Sequence, residues 1–352
     1  MGNQKLKNSF IFVSISGLLL TNQVIFGQAG SGTKYGPKNQ AYVDSIKNSD
    51  YKWALPIWGK KASKKGFDLP YAAGIMLNTY IGSQKVLISD LKVGINDKEP
   101  VPLDFIKFGD VKAKIQSITV RPDVWILPFL DLYAIAGGSF AQTNVNVASP
   151  INFTTEAEFK GKTFGLGTTI AGGYHGFIFI ADFNHTWTQM DKIDGTIQST
   201  MVDPRFGMNF LSKGKPSRSV AFWIGAQGIF INRTTEGNID LGDLTSNATK
   251  PDLDAVVSET ADWVKQLPPA QKEVVKYLAQ KSLDKLNGVS LEGTTISYSL
   301  IKKPTSNWSM CIGSQYQFSH RWQVRTEVGF FGGRESILIS GNYRFRILKD
   351  KK

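Results

Sequence analysis

The chain has 352 residues, 41% of them hydrophobic and 12% aromatic, with a net charge of +12 and one cysteine. A single thiol, Cys311, excludes an internal disulfide and any metal site built from several thiolates, and His175, His185 and His320 leave little material for zinc chemistry. The basic residues are scattered rather than striped, which argues against nucleic acid and for anionic lipid headgroups or anionic solutes as partners.

In chain order, the first element reads as a secretory signal. Lys5 and Lys7 precede the apolar run Phe10 to Leu20, which is too short to span a bilayer. Thr21-Asn22-Gln23 interrupts the run, and Gly27 and Ala29 offer a cleavage site, so residues 1–29 are expected to be removed. The competing reading is an uncleaved N-terminal anchor. Residues 30–67 are polar and basic, contain Trp53 and Trp58, and are expected to be a periplasmic segment without firm secondary structure.

From residue 68 the pattern changes. Segments with period-two alternation are separated by Gly, Pro, Asn and Lys turns, and no apolar run reaches the roughly 20 residues of a membrane helix. The expected strands are 70–81, 85–96, 110–120, 128–141, 159–173, 176–190, 195–210, 219–232, 289–301, 306–319, 321–331 and 336–348. Phe177, Phe179, Ala181, Phe183 and Trp187 alternate with Asp182, Asn184, Thr186 and Thr188; Phe206, Met208 and Phe210 alternate with Arg205, Gly207 and Asn209. Leu91, Val93 and Ile95 alternate with Lys92, Gly94 and Asn96, and the phase of 110–120 slips near Ser117. The lengths suit strands that cross a membrane at a tilt. The expected fold is all-β: an antiparallel transmembrane β-barrel of about 12 strands over residues 68–348, with a short tail at 349–352.

The C-terminal hairpin is the clearest case. Trp322, Val324, Thr326, Val328 and Phe330 form one face, as do Ile337, Ile339, Gly341, Tyr343 and Phe345 after the Gly332-Gly333-Arg334-Glu335 turn. A turn centred between Gly333 and Arg334 would pair Val328 with Ile339 and Trp322 with Phe345, and on the opposite face Arg325 with Asn342 and Gln323 with Arg344. A one-residue slip would destroy the match of faces. The aromatic residues gather at one end, as in an interfacial girdle.

Residues 245–288 interrupt the strands with an expected helical hairpin. Leu253, Val256, Val257, Thr260, Val264 and Leu267 stripe one helix, which Pro268-Pro269 ends. Val274, Val275, Leu278, Ser282 and Leu286 stripe the second, closed by Asn287-Gly288. With the C-terminus in the periplasm, the strand count puts this insertion in the periplasm, against the habit of long insertions to face outward. Either the count is off by one near residues 233–244, or the insertion is a periplasmic module.

The pattern offers no catalytic constellation and no phosphate loop. His185 shares its parity with Phe179 and Phe183 and should face outward, while His175 and His320 lie in turns. No cofactor and no metal is expected. The functional candidates are lumen charges and amides: Asp182, Asn184, Arg205, Arg325, Glu327, Arg344 and Arg346. They would line a pore that passes or binds small solutes, or pair across the wall and seal a narrow barrel that acts through its loops or helical hairpin. A lipid-modifying enzyme is a third reading.

The segments QYQFSHRWQVRTEVGFFGGRESILISGNYRF (315–345) and RPDVWILPFLDLYAIAGG (121–138) resemble wall strands of Gram-negative outer-membrane barrels, with the closing ISGNYRF strand similar to porin-like members. The resemblance covers residues 68–348 and implies an outer-membrane address, lipid contact and insertion by the barrel-assembly machinery. One departure is the tail Leu348 to Lys352, where such barrels commonly end on an aromatic residue. No catalytic residue carries over from the resemblance.

Overall fold

A computed structural model describes residues 37–95, 98–149, 153–213, 215, 217–231, 234–244, 263–291 and 293–349. The expected signal sequence, most of the first expected insertion helix and Asp350 to Lys352 lie outside them.

Thirteen strands form one antiparallel sheet, and ten of them close into a barrel. The wall strands are β1 (Ala73–Gly94), β3 (Lys107–Leu127), β4 (Leu130–Ser149), β5 (Phe153–Tyr174), β6 (Phe177–Met190), β7 (Ile197–Leu211), β8 (Ser219–Ile231), β11 (Trp308–Gln317), β12 (Trp322–Phe330) and β13 (Arg334–Phe345). Standing outside the wall are β2 (Val101–Pro102), β9 (Thr234–Asp240) and β10 (Thr295–Pro304). The seam is the β1–β13 pair, which runs from Ala73 against Phe345 to Gln84 against Arg334.

Alternation decides which way each side chain points. Phe177, Phe206, Phe222 and Ile312 face outward and are 48–62% exposed, whereas Asp182, Arg205, Trp223 and Cys311 on the same strands are 1–5% exposed. A band of exposed Ile, Leu, Val and Phe of this extent is not tolerated in water. It is what a closed barrel presents to hydrocarbon, since closure satisfies every backbone group inside the wall. Aromatic pairs lie toward both ends of the band. Trp322–Tyr343 and Tyr316–Phe318 (centroids 4.8 and 4.5 Å apart) lie toward one end, and Phe164–Trp187 and Phe230–Trp308 (6.1 and 5.9 Å) toward the other. Among the described residues no helix is long and apolar enough to cross a membrane; the crossing elements are strands.

The strand count differs from expectation for two reasons. The segments 70–81 and 85–96 are one 22-residue strand, β1, because Gly82 to Lys85 stays extended instead of turning. The strand expected at 289–301 is β10, which pairs with β9 and the far half of β1 and takes no place in the wall. The phase slip expected near Ser117 is absent: β1 and β3 pair without a break from Ala73↔Val124 to Val86↔Val111. The outward residues change there from Ile118 and Val120 to Lys112, Lys114 and Gln116 because the strand has climbed out of the apolar band. The C-terminal hairpin is shifted by two residues from the expected register. Phe331, Gly332 and Gly333, all at positive φ, make the turn, so Val328 pairs with Ile337, Trp322 with Tyr343, Arg325 with Ser340 and Gln323 with Asn342. A two-residue slip preserves the faces, so parity alone does not distinguish the two registers.

The two ends of the barrel differ. At the base the links are short: Pro128-Phe129, His175-Gly176 and Phe318 to Arg321. The long excursion from β8 to β11 leaves the opposite end. There β1 outruns the wall, bulges between Ser89 and Lys92 with Asp90 at φ 53°, and pairs with β10, which pairs with β9. This three-stranded sheet crosses the mouth. Its far strand lands on the β6–β7 loop, where Asp194 N donates to Glu236 O (2.7 Å) and Tyr298 OH to Lys192 O (3.2 Å). Val93, Ile95, Leu103, Ile239 and Ile296 form its apolar core with Val274 of a helix, and inward-facing Ala157 of β5 packs against them. Leu91, Val93 and Ile95 therefore serve this lid and not the lipid face. The helix is Pro269–Leu286, the second of the expected hairpin.

Residues expected to lack firm structure form a cap at the base, with helices α1 (Pro37–Asn48) and α2 (Gly59–Lys64). Ala54 N donates to Leu348 O and Ile57 N to Ile126 O (2.9 and 2.8 Å), tying the cap to both sides of the seam. The remaining helix of the lid, α3 (Leu241–Leu244), follows β9, and Pro269–Leu286 is hereafter α4.

Candidate functional site

Inward parity delivers charges from many strands to one level of the lumen, where they pair. Arg205 on β7 is the hub. Its Nε donates to Glu327 Oε2 of β12 (2.8 Å), and its two Nη groups donate to Asp182 of β6 and Asp203 of β7. Trp223 Nε1 on β8 donates to the same Glu327 oxygen (2.9 Å), and Thr169 on β5 donates to Asp182. Arg121 on β3 donates to Asp131 Oδ2 on β4 (3.2 Å) and to Thr169 Oγ1 (3.0 Å), lies 3.7 Å from Asp182 and stacks 3.6 Å over the Tyr133 ring. Arg325 on β12 lies 3.5 Å from Glu327 and 5.0 Å over the Trp223 ring. Cys311 on β11 approaches Asp203 Oδ1 at 3.8 Å. These groups come from eight consecutive wall strands, β3 through β12, and form a layer across the lumen. A guanidinium can bridge several carboxylates at once because its five N–H groups are fixed in one plane.

The expected lumen residues divide. Asp182, Arg205, Arg325 and Glu327 are in the layer, and Asn184 lies next to it, its Nδ2 3.4 Å from Tyr133 OH. Arg344 sits nearer the base, 2.9 Å from Asp123, and donates to the carbonyls of Tyr71 (2.7 Å) and Ala72 (3.2 Å), tying the start of β1 to β13. Arg346 is not in the lumen. It follows the end of β13, and its guanidinium lies over the rings of Tyr71 and Trp53 in the cap (4.5 and 5.1 Å). Arg121, Asp123, Asp131 and Trp223 were not among the expected lumen residues. Their signal was available, since Arg121-Pro122-Asp123-Val124-Trp125 alternates with the polar residues on the inward parity.

Asp203, Cys311 and Glu327 bring three buried ligand-type atoms together. Both carboxylates already accept from Arg205, so the guanidinium holds the position a cation would take.

The histidines lie as parity and turns dictate, with one addition. His185 faces outward beside Trp187 (4.6 Å) and bonds Thr200 Oγ1 (2.8 Å). His320, in the β11–β12 turn, lies 2.8 Å from both carboxylate oxygens of Asp68, and Tyr42 OH donates to the same carboxylate (2.8 Å). Sequence spacing gave no sign of this partner, which is 252 residues away. The hydrogen bond to Asp68 holds the His320 pKa above its ordinary value. At the lid, burial pulls the Lys302 amine down to about 8, 5.4 Å over the Phe159 ring inside the mouth.

No protein-family model matches the sequence, and no curated protein matches it. Solved structures align with it at low similarity. The outer membrane protein OprG from Pseudomonas aeruginosa is 9% identical, with 79% of this chain and 98% of that one covered and a TM-score of 0.38. The transport unit of the autotransporter AIDA-I from Escherichia coli is 11% identical over 89% and 100% of the two chains, with a TM-score of 0.35. The β-domain of the Bordetella autotransporter BrkA is 10% identical over 78% and 100%, with a TM-score of 0.36. The class rests on the chain's own geometry: a closed antiparallel wall with an apolar, aromatic-edged exterior defines an outer-membrane β-barrel protein.

Proposed function

We propose that this protein is a sealed outer-membrane barrel that acts through its lid and base and not by free passage of solutes. The supporting observation is the charge layer. Arg205, 3% exposed, is bonded to three carboxylates drawn from three strands, at the level where an open pore would hold water. Porin-like passage, the other reading of the lumen charges, would require this layer to part. A lid across one mouth and a cap against part of the other add to the closure. The short base links and the long excursion at the lid end match periplasmic turns and outward loops, so the base faces the periplasm and the lid faces outward. This assignment favours a strand miscount over a periplasmic module: β10, expected at 289–301 as a wall strand, does not cross the wall, and β8 pairs directly with β11.

Conductance of the refolded protein in planar bilayers tests the proposal. Silence under applied voltage is expected. Stable open steps from the unaltered protein would overturn it.

A further inference from the structure

Below the charge layer, on its base side, lies a cavity of about 130 Å³. Its upper wall carries Arg121 and Arg325, and its lower margin is Pro70, which precedes β1, with Gly173 and Ser219 at the base ends of β5 and β8, so entry is from the base. Five carboxamides line it: Asn209 on β7, Gln315 and Gln317 on β11, Gln323 on β12 and Asn342 on β13. Gln323 donates to Gln317 (3.2 Å), which donates to Ser217 O (3.2 Å). The other three are unspent. Asn342 is 3% exposed and its Oδ1 has no hydrogen-bond partner among the described residues; the same holds for Asn209 Oδ1. No hydrogen bond to Gln315 is found among the described residues.

The charges around the cavity are already matched. Arg344 faces Asp123, Arg121 faces Asp131, and Arg325 is held between Glu327 and Asp182. Each guanidinium therefore has a carboxylate counter-charge, which disfavours a charged guest, although Arg121 Nε, Arg325 Nε and Nη2, both Asp123 oxygens and Asp131 Oδ1 make no hydrogen bond among the described residues. The uncharged capacity is that of amides, each with a donor and an acceptor, which suits hydroxyl groups that likewise do both, and the unpartnered N–H groups and carboxylate oxygens beside them can meet the same hydroxyls. Trp125, with Ile178 and Ile180, supplies a flat apolar wall, while the Trp223 ring lies beneath Arg325. Amides on one side and an indole on another complement a ring with hydroxyl edges and C–H faces.

We propose that this chamber is a binding site for a neutral monosaccharide, taken up from the base. It requires only that the cavity be reachable from the base, so it stands or falls separately from the sealing of the lumen.

The test is calorimetric titration of the folded protein in lipid nanodiscs with glucose and with galactose. Saturable binding of at least one is expected. Gln315→Ala and Asn209→Ala should each weaken it about fivefold, the loss of one hydrogen bond, while leaving the heat-dependent gel mobility of the folded barrel unchanged. Binding of neither sugar would overturn the proposal. So would unaltered affinity in both variants, or saturable binding of gluconate or ethanolamine without either sugar.

Discussion

Arg205 of β7 donates its Nε–H to Glu327 Oε2 of β12 at 2.8 Å, joining two strands that β8 and β11 separate in the wall. The bond spans the lumen, and it places a single guanidinium among three carboxylates. Removing one partner from such a buried group is far more damaging than its net worth suggests, because the others are left charged and unpaired. Arg205→Ala should lower stability by about 3–5 kcal/mol, read as a shift in urea-induced unfolding in lipid vesicles. An Arg205→Ala, Glu327→Ala double-mutant cycle should give a coupling energy of about 0.5–3 kcal/mol. Additive single effects would show that the contact carries no energy.

The lipid face gives a second prediction. Ile312 is 48% exposed and pairs with Ile224 and Val328 in the middle of the apolar band. Ile312→Arg should cost about 2–4 kcal/mol of barrel stability in bilayers. The same change at outward-facing Gln116, at the rim of the band beside Ile81 and Phe140, should cost about 0–1 kcal/mol. Equal costs at the two sites would contradict the placement of the membrane.

The base cap should respond to pH. His320 has its pKa raised in the folded state by its bond to Asp68, so the stability it contributes is fully present below the unfolded value and is lost as pH rises through the folded one. Asp68 drives the shift, and burial and then Arg346 oppose it. Proteolysis of residues 40–66 should therefore be slow in mild acid and faster above the raised pKa. In His320→Asn that dependence should flatten. Persistence of the full pH profile in the variant would assign it to another group.

The landing of β9 offers a local probe. A Cβ on Gly237 would come 2.2 Å from Lys192 O, a backbone atom that cannot swing aside. Gly237→Val should break the contact of the lid with the β6–β7 loop and expose residues 234–304 to added protease in intact cells, while the wall keeps its heat-dependent mobility. Unchanged protection would mean that the lid is held elsewhere.

Parity made most of the wall legible. Phe177 to Trp187 and Trp322 to Phe330 present in the barrel the faces that alternation assigns them, because one side meets hydrocarbon and the other does not. Register was less legible, since a two-residue slip of the last hairpin leaves every face intact and is decided by three positive-φ residues in its turn. Partners were least legible. Arg205 and Glu327 are 122 residues apart, and only closure of the ring and its stagger bring them to one level. The lid was misread because β10 has the alternation of a wall strand, and alternation records a half-buried sheet without saying what buries it.

Lys85 marks the place where β1 exchanges one neighbour for another. Its N–H bonds Gly333 O on the β13 side (2.8 Å), and its carbonyl accepts from Thr305 N at the end of β10 (3.1 Å). At about 3.3 Å per residue, the 22 residues of β1 are both a stave of the wall and a crossbeam over it. Lateral parting of the seam from that end would have to unzip β10 or carry the crossbeam with it. Sideways release into the bilayer and unroofing of the mouth are therefore one mechanical event, hinged on a single residue.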